Sequence, residues 1–441
     1  MYFKMTPPTR PPFADLPLDK AGPPGNAWGL YGKDDELGAL NLITKETVKA
    51  AAQEVRTGDR VSLDWYLNLP SFPSFGRPPF GWKMENRSHP DGTKRTVNDD
   101  HLDINTQSSS QWDGFRHYGY QQAKQYYGGR SQQEVQETEV IGIDRVAHSG
   151  GITARGVILD YPRYLEKKGK AKVDALSANH ISAEDLKDML TDTGVTTRAG
   201  DLLLLRTGFT RDYSALDISA RRAMASAPPT FLGVQSSKAV AQWIWDAGFV
   251  AVAGDAPSFE MSPLVGAHNA PGGIWAGEAW EDEMQGGGLL HQWLLGGWGV
   301  MIGEMWDLEA LCEKAVELGR STCFVSSVPL KVCEPQISVD ISMMEVENDQ
   351  GYTVSDILIK HRFPVALPVP QTRSQYFRTP LDWHPFSSKL SKHGTACQDS
   401  MWHSFSSHRR HASEREPFFN RIDLMTKSKL YCPGIVLSTQ P

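Results

Sequence analysis

Four short apolar segments, alternating with stretches of helical pattern, constrain the fold of this chain more than any other feature. Each is bounded by Gly or Asp and predicts a buried strand; they are Ile152–Tyr161, Asp201–Thr207, Phe249–Gly254 and Gly299–Gly303. Helix-start signals and apolar periodicity predict helices between and after them, over Ser182–Leu190, Ser236–Ala247 and Leu308–Leu318. Strand alternating with helix predicts an α/β fold with a mixed sheet.

The flanking regions differ in character from this α/β pattern. Residues 1–25 are rich in proline and predict an extended arm. Residues 26–332 carry the pattern and predict one catalytic domain. The chain changes character from about Cys333, and residues 361–441 lose apolar periodicity and collect Ser, His, Pro, Arg and Lys. We therefore predict a poorly ordered extension over residues 333–441. An unspliced intron or an incorrect gene end would also explain that break.

Two local signals fall inside the predicted domain. Thr44 followed by an apolar-periodic stretch predicts a helix N-cap. Pro, Gly, Asn and Ser are frequent from Pro70 to about Asp100, which predicts a long surface loop. A loop of this length in a compact domain is uncommon and often functional, so it is a candidate lid.

Composition narrows the class of protein and its partners. The 441 residues are 40% hydrophobic and 22% charged, which is typical of a soluble globular protein. A net charge of −7 without long charge runs argues against a nucleic-acid partner. No run of 18 apolar residues occurs, so we expect no membrane partner. The five cysteines lack CxxC spacing and indicate reduced thiols in a cytoplasmic protein. A homo-oligomer is compatible with this composition.

One segment concentrates the side chains that can support catalysis. It reads Gln-Ser-Ser-Ser-Gln-Trp-Asp-Gly-Phe-Arg-His, from Gln107 to His117. Asp113 and His117 lie four residues apart, so one helical turn would place them on one face. So many polar groups are costly to bury unpaired, so the segment must face water, a ligand or a metal. We interpret it as one wall of an active site.

Four residues outside this segment are further candidates. His101 stands just before it and could reach the same pocket, or be an exposed loop histidine. His291 begins an apolar helical stretch, where a core histidine is the ordinary interpretation. Glu304 ends an apolar strand, where a carboxylate needs an ion pair or a metal. Asp255 follows a strand, where it could contact a ligand or cap a turn.

The segment resembles the signature of the cyclase family that includes bacterial kynurenine formamidases, His-x-Gly-Thr-His-x-Asp-x-x-x-His. Asp113 and His117 match that signature, whereas Gln107 and Gln111 replace its first two histidines. The string Gln-Ser-Ser-Ser-Gln-Trp-Asp-Gly is similar to the variant found in fungal members. Five later segments resemble the family in order, over roughly residues 25–332; they are 156–160, 200–208, 254–258, 291–295 and 302–308.

The resemblance implies a layered α/β/α, barrel-like domain with a metal site. By likeness, His291 and Glu304 join Asp113 as ligands, and Gln111 adds a weak carbonyl oxygen. Amide oxygens bind metal ions more weakly than imidazole. One divalent metal is therefore expected, and manganese or magnesium fits better than zinc. A site without metal, in which the amides donate to an oxyanion, is the alternative.

The function that follows is a hydrolase similar to arylformamidase. It would cleave a carbon–nitrogen bond (formamide or cyclic amide) or a lactone in a small aromatic metabolite, such as one of secondary metabolism. A metal would activate water beside Asp113, and His117 would shuttle the proton. Substrate contacts are predicted for Gln107, Trp112, His101 and Asp255. The alternatives are a lyase or cyclase of natural-product biosynthesis and a catalytically silent binding relative.

Overall fold

The computed structural model describes residues 9–263 and 289–331, together with a two-residue strand at Met343–Met344. The strands are β1 Gly81–Ser88, β2 Lys94–Asp103, β3 Gln111–Asp113, β4 Ile152–Asp160, β5 His180–Ile181, β6 Leu202–Arg206, β7 Gly233–Val234, β8 Ala251–Gly254, β9 Met301–Glu304, β10 Thr322–Val328 and β11 Met343–Met344. The α-helices are α1 Lys45–Ala52, α2 Gln132–Glu137, α3 Asp144–Ser149, α4 Tyr161–Lys167, α5 Ala183–Thr193, α6 Phe209–Ala215, α7 Ile218–Ser226, α8 Lys238–Ala247 and α9 Glu309–Glu317.

Seven strands form one curled mixed sheet, a half-barrel flanked by helices, in the order β11-β10-β4-β6-β8-β9-β3. The four central strands β4, β6, β8 and β9 are parallel. Strands β10 and β3 pair antiparallel at either side of them. The predicted α/β class with a mixed sheet is confirmed. All four parallel strands end at the same edge, which is where ligand sites gather in such sheets.

The apolar runs become strands because both faces of the central sheet are covered. Strand β6 is a leucine run, and its four leucines are each at most 1% exposed. Strand β8 is equally buried, as expected of parallel strands between helices. Each of the four predicted strands lies within two residues of an observed one at both ends. The three predicted helices correspond to α5, α8 and α9.

Helix starts follow their capping signals. The side chain of Thr44 accepts a hydrogen bond from Thr47 N, and Thr47 Oγ1 accepts from Thr44 N, so the predicted N-cap of α1 is confirmed. Helix α8 begins at Ser237, whose side chain accepts from Val240 N. It ends at Gly248, whose φ of 78° lies in the left-handed region, which glycine adopts easily because it has no Cβ.

The loop predicted from Pro70 to about Asp100 is only partly a loop. Its second half forms β1 and β2, an exposed antiparallel hairpin in which Gly81 pairs with Asp103. The turn contains Asp91-Gly92, a strong hairpin signal that the polar composition of the flanking residues hides. Because neither face of the hairpin is buried, apolar alternation gives no signal for these strands.

The proline-rich arm packs against the domain over the residues that are described. Pro11 O accepts a hydrogen bond from Trp245 Nε1 at 2.8 Å. Phe13 is buried and stacks on Trp293 at 6.2 Å between ring centroids. The predicted extension 333–441 lies outside the described residues except for β11, so its poor order stays a prediction. Among the described residues, the longest apolar helices are too short to cross a membrane.

Candidate metal and hydrolytic centre

Pairing between β3 and β9 brings two distant motifs together. Gln111 lies opposite Glu304 in the antiparallel register. Gln111 Nε2 donates to Glu304 Oε2 at 3.0 Å. Because side chains alternate along a strand, Gln111 and Asp113 share one face and Trp112 takes the other. The sequence motif is therefore a buried strand at the side of the sheet.

The helical turn expected between Asp113 and His117 is wrong. The chain leaves β3 in a tight turn in which His117 N donates to Gly114 O at 2.9 Å. This turn nevertheless returns the imidazole to the carboxylate, with His117 Nε2 3.9 Å from Asp113 Oδ1. The inferred proximity is thus correct, but its geometric basis is a strand and a turn.

The three serines of the motif anchor the surrounding loops. Ser109 Oγ donates to Tyr66 O at 3.0 Å. Ser110 Oγ donates to Met305 O at 2.6 Å and accepts from Trp65 N at 2.7 Å. Met305 immediately follows Glu304 and has a left-handed φ of 53°. The serine hydroxyls thus fix the loops on both sides of strand β3.

Asp113, His117 and His291 form a cluster in which one potential ligand atom from each residue lies within 4.8 Å of the other two. His291 Nε2 is 3.5 Å from Asp113 Oδ2 and 3.2 Å from Glu304 Oε1. His291 precedes a buried π-helical segment, Gln292–Trp298, which explains the apolar pattern around it. Four residues from three separate sequence motifs therefore converge. We call Asp113, His117, His291 and Glu304 the centre.

Glu260 is a partner of the centre that the sequence did not reveal. Its Oε2 lies 2.7 Å from His291 Nδ1, and its Oε1 accepts from His291 N at 2.8 Å. The Glu260 side chain is fully buried. Glu260 thus favours a proton on Nδ1, and Nε2 is directed at Asp113 and Glu304. A carboxylate that orients a metal-binding histidine in this way is a common feature of metal sites.

The centre carries an excess of buried negative charge. Burial alone would raise the pKa of Asp113, but His117 and His291 outweigh it and lower the pKa to about 2. Burial, with Asp113 nearby, raises the pKa of Glu304 to about 7. Burial would lower the pKa of His291, but Glu260, Asp113 and Glu304 raise it well above its ordinary value. Three carboxylates around one imidazole favour a cation at this position.

The donor set fits a divalent cation. Asp113 Oδ2 and Gln111 Oε1 are buried and form no hydrogen bond with any described residue. Buried oxygens without partners are costly unless an ion or water satisfies them. The residues that would hold the ion are Asp113 and His291, with Glu304 and the Gln111 oxygen beside them. Carboxylate, imidazole and amide oxygen together suit a divalent metal of the first transition row or magnesium.

The two glutamines act on the carboxylates as hydrogen-bond donors. Gln107 Nε2 donates to Asp113 Oδ1 at 2.5 Å. Gln111 Nε2 donates to Gln107 Oε1 at 2.6 Å and lies 3.2 Å from Asp113 Oδ1. One oxygen of Asp113 is therefore occupied by amides, whereas the other forms no hydrogen bond among the described residues and faces His291 Nε2 at 3.5 Å. Glutamine in place of the two signature histidines thus restricts the ligand atoms available to an ion.

His117 is the cluster member with an accessible edge. Its side chain is 18% exposed, against 9% for His291 and none for Asp113. Burial, opposed by Asp113, lowers the pKa of His117 below its ordinary value. A neutral imidazole at this position can accept a proton near neutral pH. Tyr118 lies beside it, with its ring 5.6 Å from that of His291, and burial raises its pKa to about 12.

Three residues predicted to contact substrate lie in other surroundings. Trp112 is fully buried on the opposite face of β3, where its Nε1 donates to Ser327 Oγ at 2.9 Å. His101 lies on the exposed hairpin, 3.1 Å from Glu85. Asp255 accepts hydrogen bonds from three backbone N–H groups and one hydroxyl at the start of α6. The structure does not bring these side chains into the cluster, and their substrate roles stay predictions.

Comparison with known proteins agrees with this architecture. The family described as putative cyclase matches residues 61–261. A crystal structure of a novel cyclase is similar at 26% identity, with a TM-score of 0.60, covering 73% of this chain and 99% of that chain. An isatin hydrolase bound to the product analogue thioisatinate matches at 13% identity and a TM-score of 0.45, over 69% of this chain and all of its own.

Isatin hydrolase A from Ralstonia solanacearum matches at 16% identity and a TM-score of 0.44, over 69% of this chain and 98% of its own. No curated protein sequence matches the chain. The chain therefore resembles the cyclase family in sequence over residues 61–261, and in fold over most of the described residues.

Proposed function

We propose that this protein is a metal-dependent hydrolase of a small metabolite. The observation that carries the proposal is the convergence of Asp113, His117 and His291 within 4.8 Å, with one oxygen of Asp113 that forms no hydrogen bond to a described residue. Glu260 supports it by holding His291 Nδ1, so that Nε2 faces the cluster. A site arranged in this way is suited to the hydrolysis of an activated carbonyl group.

A bound divalent metal would lower the pKa of water and polarise the carbonyl of the substrate. Asp113 and His291 would hold the ion, and Glu260 keeps the His291 ring in place. The amide of Gln107 occupies Asp113 Oδ1 and so directs the other oxygen into the centre. His117 accepts the proton from the attacking water through Nε2 and donates it to the leaving nitrogen or oxygen.

The substrate class that this chemistry serves is a formamide, a cyclic amide or a lactone. Each has a carbonyl carbon that water attacks and a nitrogen or oxygen that leaves with a proton. The aromatic ring of Tyr118 beside the histidine pair favours a planar or aromatic substrate. Arylformamidase-like activity within this class is our specific expectation.

The test combines metal analysis with product analysis. The purified protein should bind about one manganese or zinc per chain, and Asp113→Asn should lower the affinity by at least 10-fold. The matched control is Asp144→Asn, a buried aspartate that pairs with His148 on α3. Substrates to assay are N-formylkynurenine, isatin and a simple aryl lactone.

Product mass separates the competing functions. Hydrolysis in ¹⁸O-labelled water should place one labelled oxygen in the acid that is formed, which is formate for N-formylkynurenine and the ring-opened acid for isatin or the lactone, whereas a cyclase or dehydratase reaction would incorporate none. A protein that binds metal but converts none of the three substrate classes would favour a binding role instead. Equal metal binding by Asp113→Asn and the native protein would remove the basis of the proposal.

A further inference from the structure

A strained turn places one cation beside the centre. Phe75 and Gly76 both have left-handed backbones, with φ of 61° and 69°. This conformation is unfavourable for a non-glycine residue and persists only where neighbours enforce it. The Phe75 ring packs edge-on against Phe231 at 6.3 Å, and Arg77 follows directly.

The Arg77 guanidinium is fixed on two sides. Its Cζ lies 5.1 Å from the centroid of the Phe75 ring. Its Nη1 donates to Gln107 O at 2.6 Å. Gln107 is the residue whose side chain bonds Asp113, so the guanidinium is attached to the wall of the centre itself.

The charge of Arg77 lies near the carboxylates of the centre but forms no ion pair with them among the described residues. Burial lowers its pKa, whereas the carboxylates of Glu304 and Asp113 act in the opposite direction. Within the described part of the chain, it forms neither an ion pair with these carboxylates nor a second side-chain hydrogen bond. A guanidinium has five N–H donors, and described residues use one of those of Arg77.

We infer that Arg77 binds a carboxylate group in the centre, formed or carried by the substrate. The inference rests on the proposed function, because hydrolysis of a cyclic amide or lactone adds water across the acyl C–N or C–O bond. The C–N or C–O bond breaks, the proton passes to the leaving atom, and the acyl carbon becomes a carboxylate. A guanidinium fork matches the two oxygens of that group.

The site is therefore selective for substrates that carry a carboxylate or that form one when they are hydrolysed. Phe75 lies against the same guanidinium and offers an aromatic surface to the body of that molecule. Arg77 is a specificity residue in this scheme, and it takes no part in the proton transfer that is assigned to His117.

Binding of benzoate tests the inference without requiring the true substrate. Calorimetric titration of the full chain in EDTA removes any contribution of bound metal to carboxylate binding. The native protein should bind benzoate at least 10-fold more tightly than neutral benzamide. Arg77→Ala should weaken benzoate binding by about 10- to 100-fold, the usual effect of a lost charge-assisted pair, and leave benzamide unaffected.

Two further variants make the result specific. Arg77→Lys keeps the charge but loses the fork, so its affinity for benzoate should lie between those of the native protein and Arg77→Ala. Arg222→Ala is the matched control, because Arg222 is exposed and stacks on Phe72 at 4.7 Å. It should bind benzoate within about 2-fold of the native protein. Melting temperatures establish that each variant is folded.

Equal binding of benzoate by Arg77→Ala and the native protein overturns the inference, as does equal binding of benzoate and benzamide by the native protein. Titration with manganese in the absence of EDTA separates this outcome from failure of the proposed function. If Arg77→Ala loses benzoate binding and the native protein binds no manganese, the anion site is supported and the metal-dependent hydrolase is rejected.

Discussion

At the scale of single residues, the centre divides its work between groups that differ in burial. Asp113 and His291 are enclosed and surrounded by partners, whereas His117 keeps an exposed edge. Enclosed groups suit a fixed role in holding an ion, because their positions are set by several contacts. An accessible imidazole suits proton exchange with substrate and solvent.

This division predicts different outcomes for two substitutions. His117→Ala should lower kcat by about 100- to 10,000-fold, the usual contribution of general acid–base catalysis, and leave metal content nearly unchanged. Asp113→Ala should lose both metal and activity. Parallel measurements of metal content and turnover decide the question. Loss of metal in His117→Ala would make His117 a ligand, and a different residue would have to carry the proton.

Glu260 provides a second prediction at this scale. Glu260→Gln removes the charge that holds His291 Nδ1 at 2.7 Å, so metal affinity should fall by about 10- to 100-fold. Titration with manganese measures the change. Glu137→Gln, at the exposed end of α2, is the control and should leave affinity unchanged. An unaltered affinity in Glu260→Gln would mean that packing alone orients the ring.

Sequence reasoning found the residues of the centre that belong to compact motifs. Asp113, His117, His291 and Glu304 stand in such motifs and are brought together. Glu260 and Arg77 were missed, because each acts through a contact with a residue distant in sequence. A glutamate after a buried strand and an arginine in a loop have no local pattern that separates them from surface charges.

At the scale of elements, Asp255, which directly follows β8, binds the backbone at the start of α6. Asp255 accepts hydrogen bonds from the backbone N–H groups of Thr207, Gly208 and Phe209. Asp255→Ala should lower the free energy of unfolding by about 3–5 kcal/mol, because three buried donors lose their partner. Asp217→Ala removes the exposed cap of α7 and should cost only about 1 kcal/mol. Denaturant unfolding compares them.

The same carboxyl predicts a dependence of stability on pH. Burial raises the pKa of Asp255 to about 6 from 3.8, despite the hydrogen bonds that lower it. The folded state therefore holds a proton that the unfolded state has released between these values. This contribution is fully present below about pH 4 and is lost as the pH rises through about 6.

The expected loss is at most about 3 kcal/mol, from roughly two units of pKa shift. The free energy of unfolding of the native protein, minus that of Asp255→Asn, should fall over this range. A difference that stays constant from pH 4 to 7 would mean that the hydrogen bonds keep the carboxylate ionised.

Strands and helices with strong periodicity could be predicted from the sequence, and the hairpin β1–β2 could not. The buried segments report their environment through continuous apolar residues. The hairpin is exposed on both faces, so its sequence has no apolar pattern that would predict strands. Strand β3 was also missed, because three polar and aromatic residues within a functional motif match neither a strand nor a helix pattern.

At the scale of the whole molecule, the sheet is complete in its core without the C-terminal extension. Truncation after Val332 removes β11, which pairs with β10 through only two residues at the sheet edge. The melting temperature should change by no more than about 2 °C, and solubility should be unchanged or better. Calorimetry measures the transition. A drop of several degrees with loss of cooperativity would assign the extension a packing role.

The antiparallel pairing of β3 with β9 determines when the centre can assemble during synthesis of the chain. Gln111 and Glu304 meet although 193 residues separate them. During synthesis, a ribosome-bound chain carries the entire Gln-Ser-Ser-Ser-Gln-Trp-Asp segment long before its partner strand emerges. Under the proposed function, the metal site would therefore form only after nearly all of the sheet has been made. A splice form that lacks β9 would keep a recognisable signature in its sequence and yet be chemically inert.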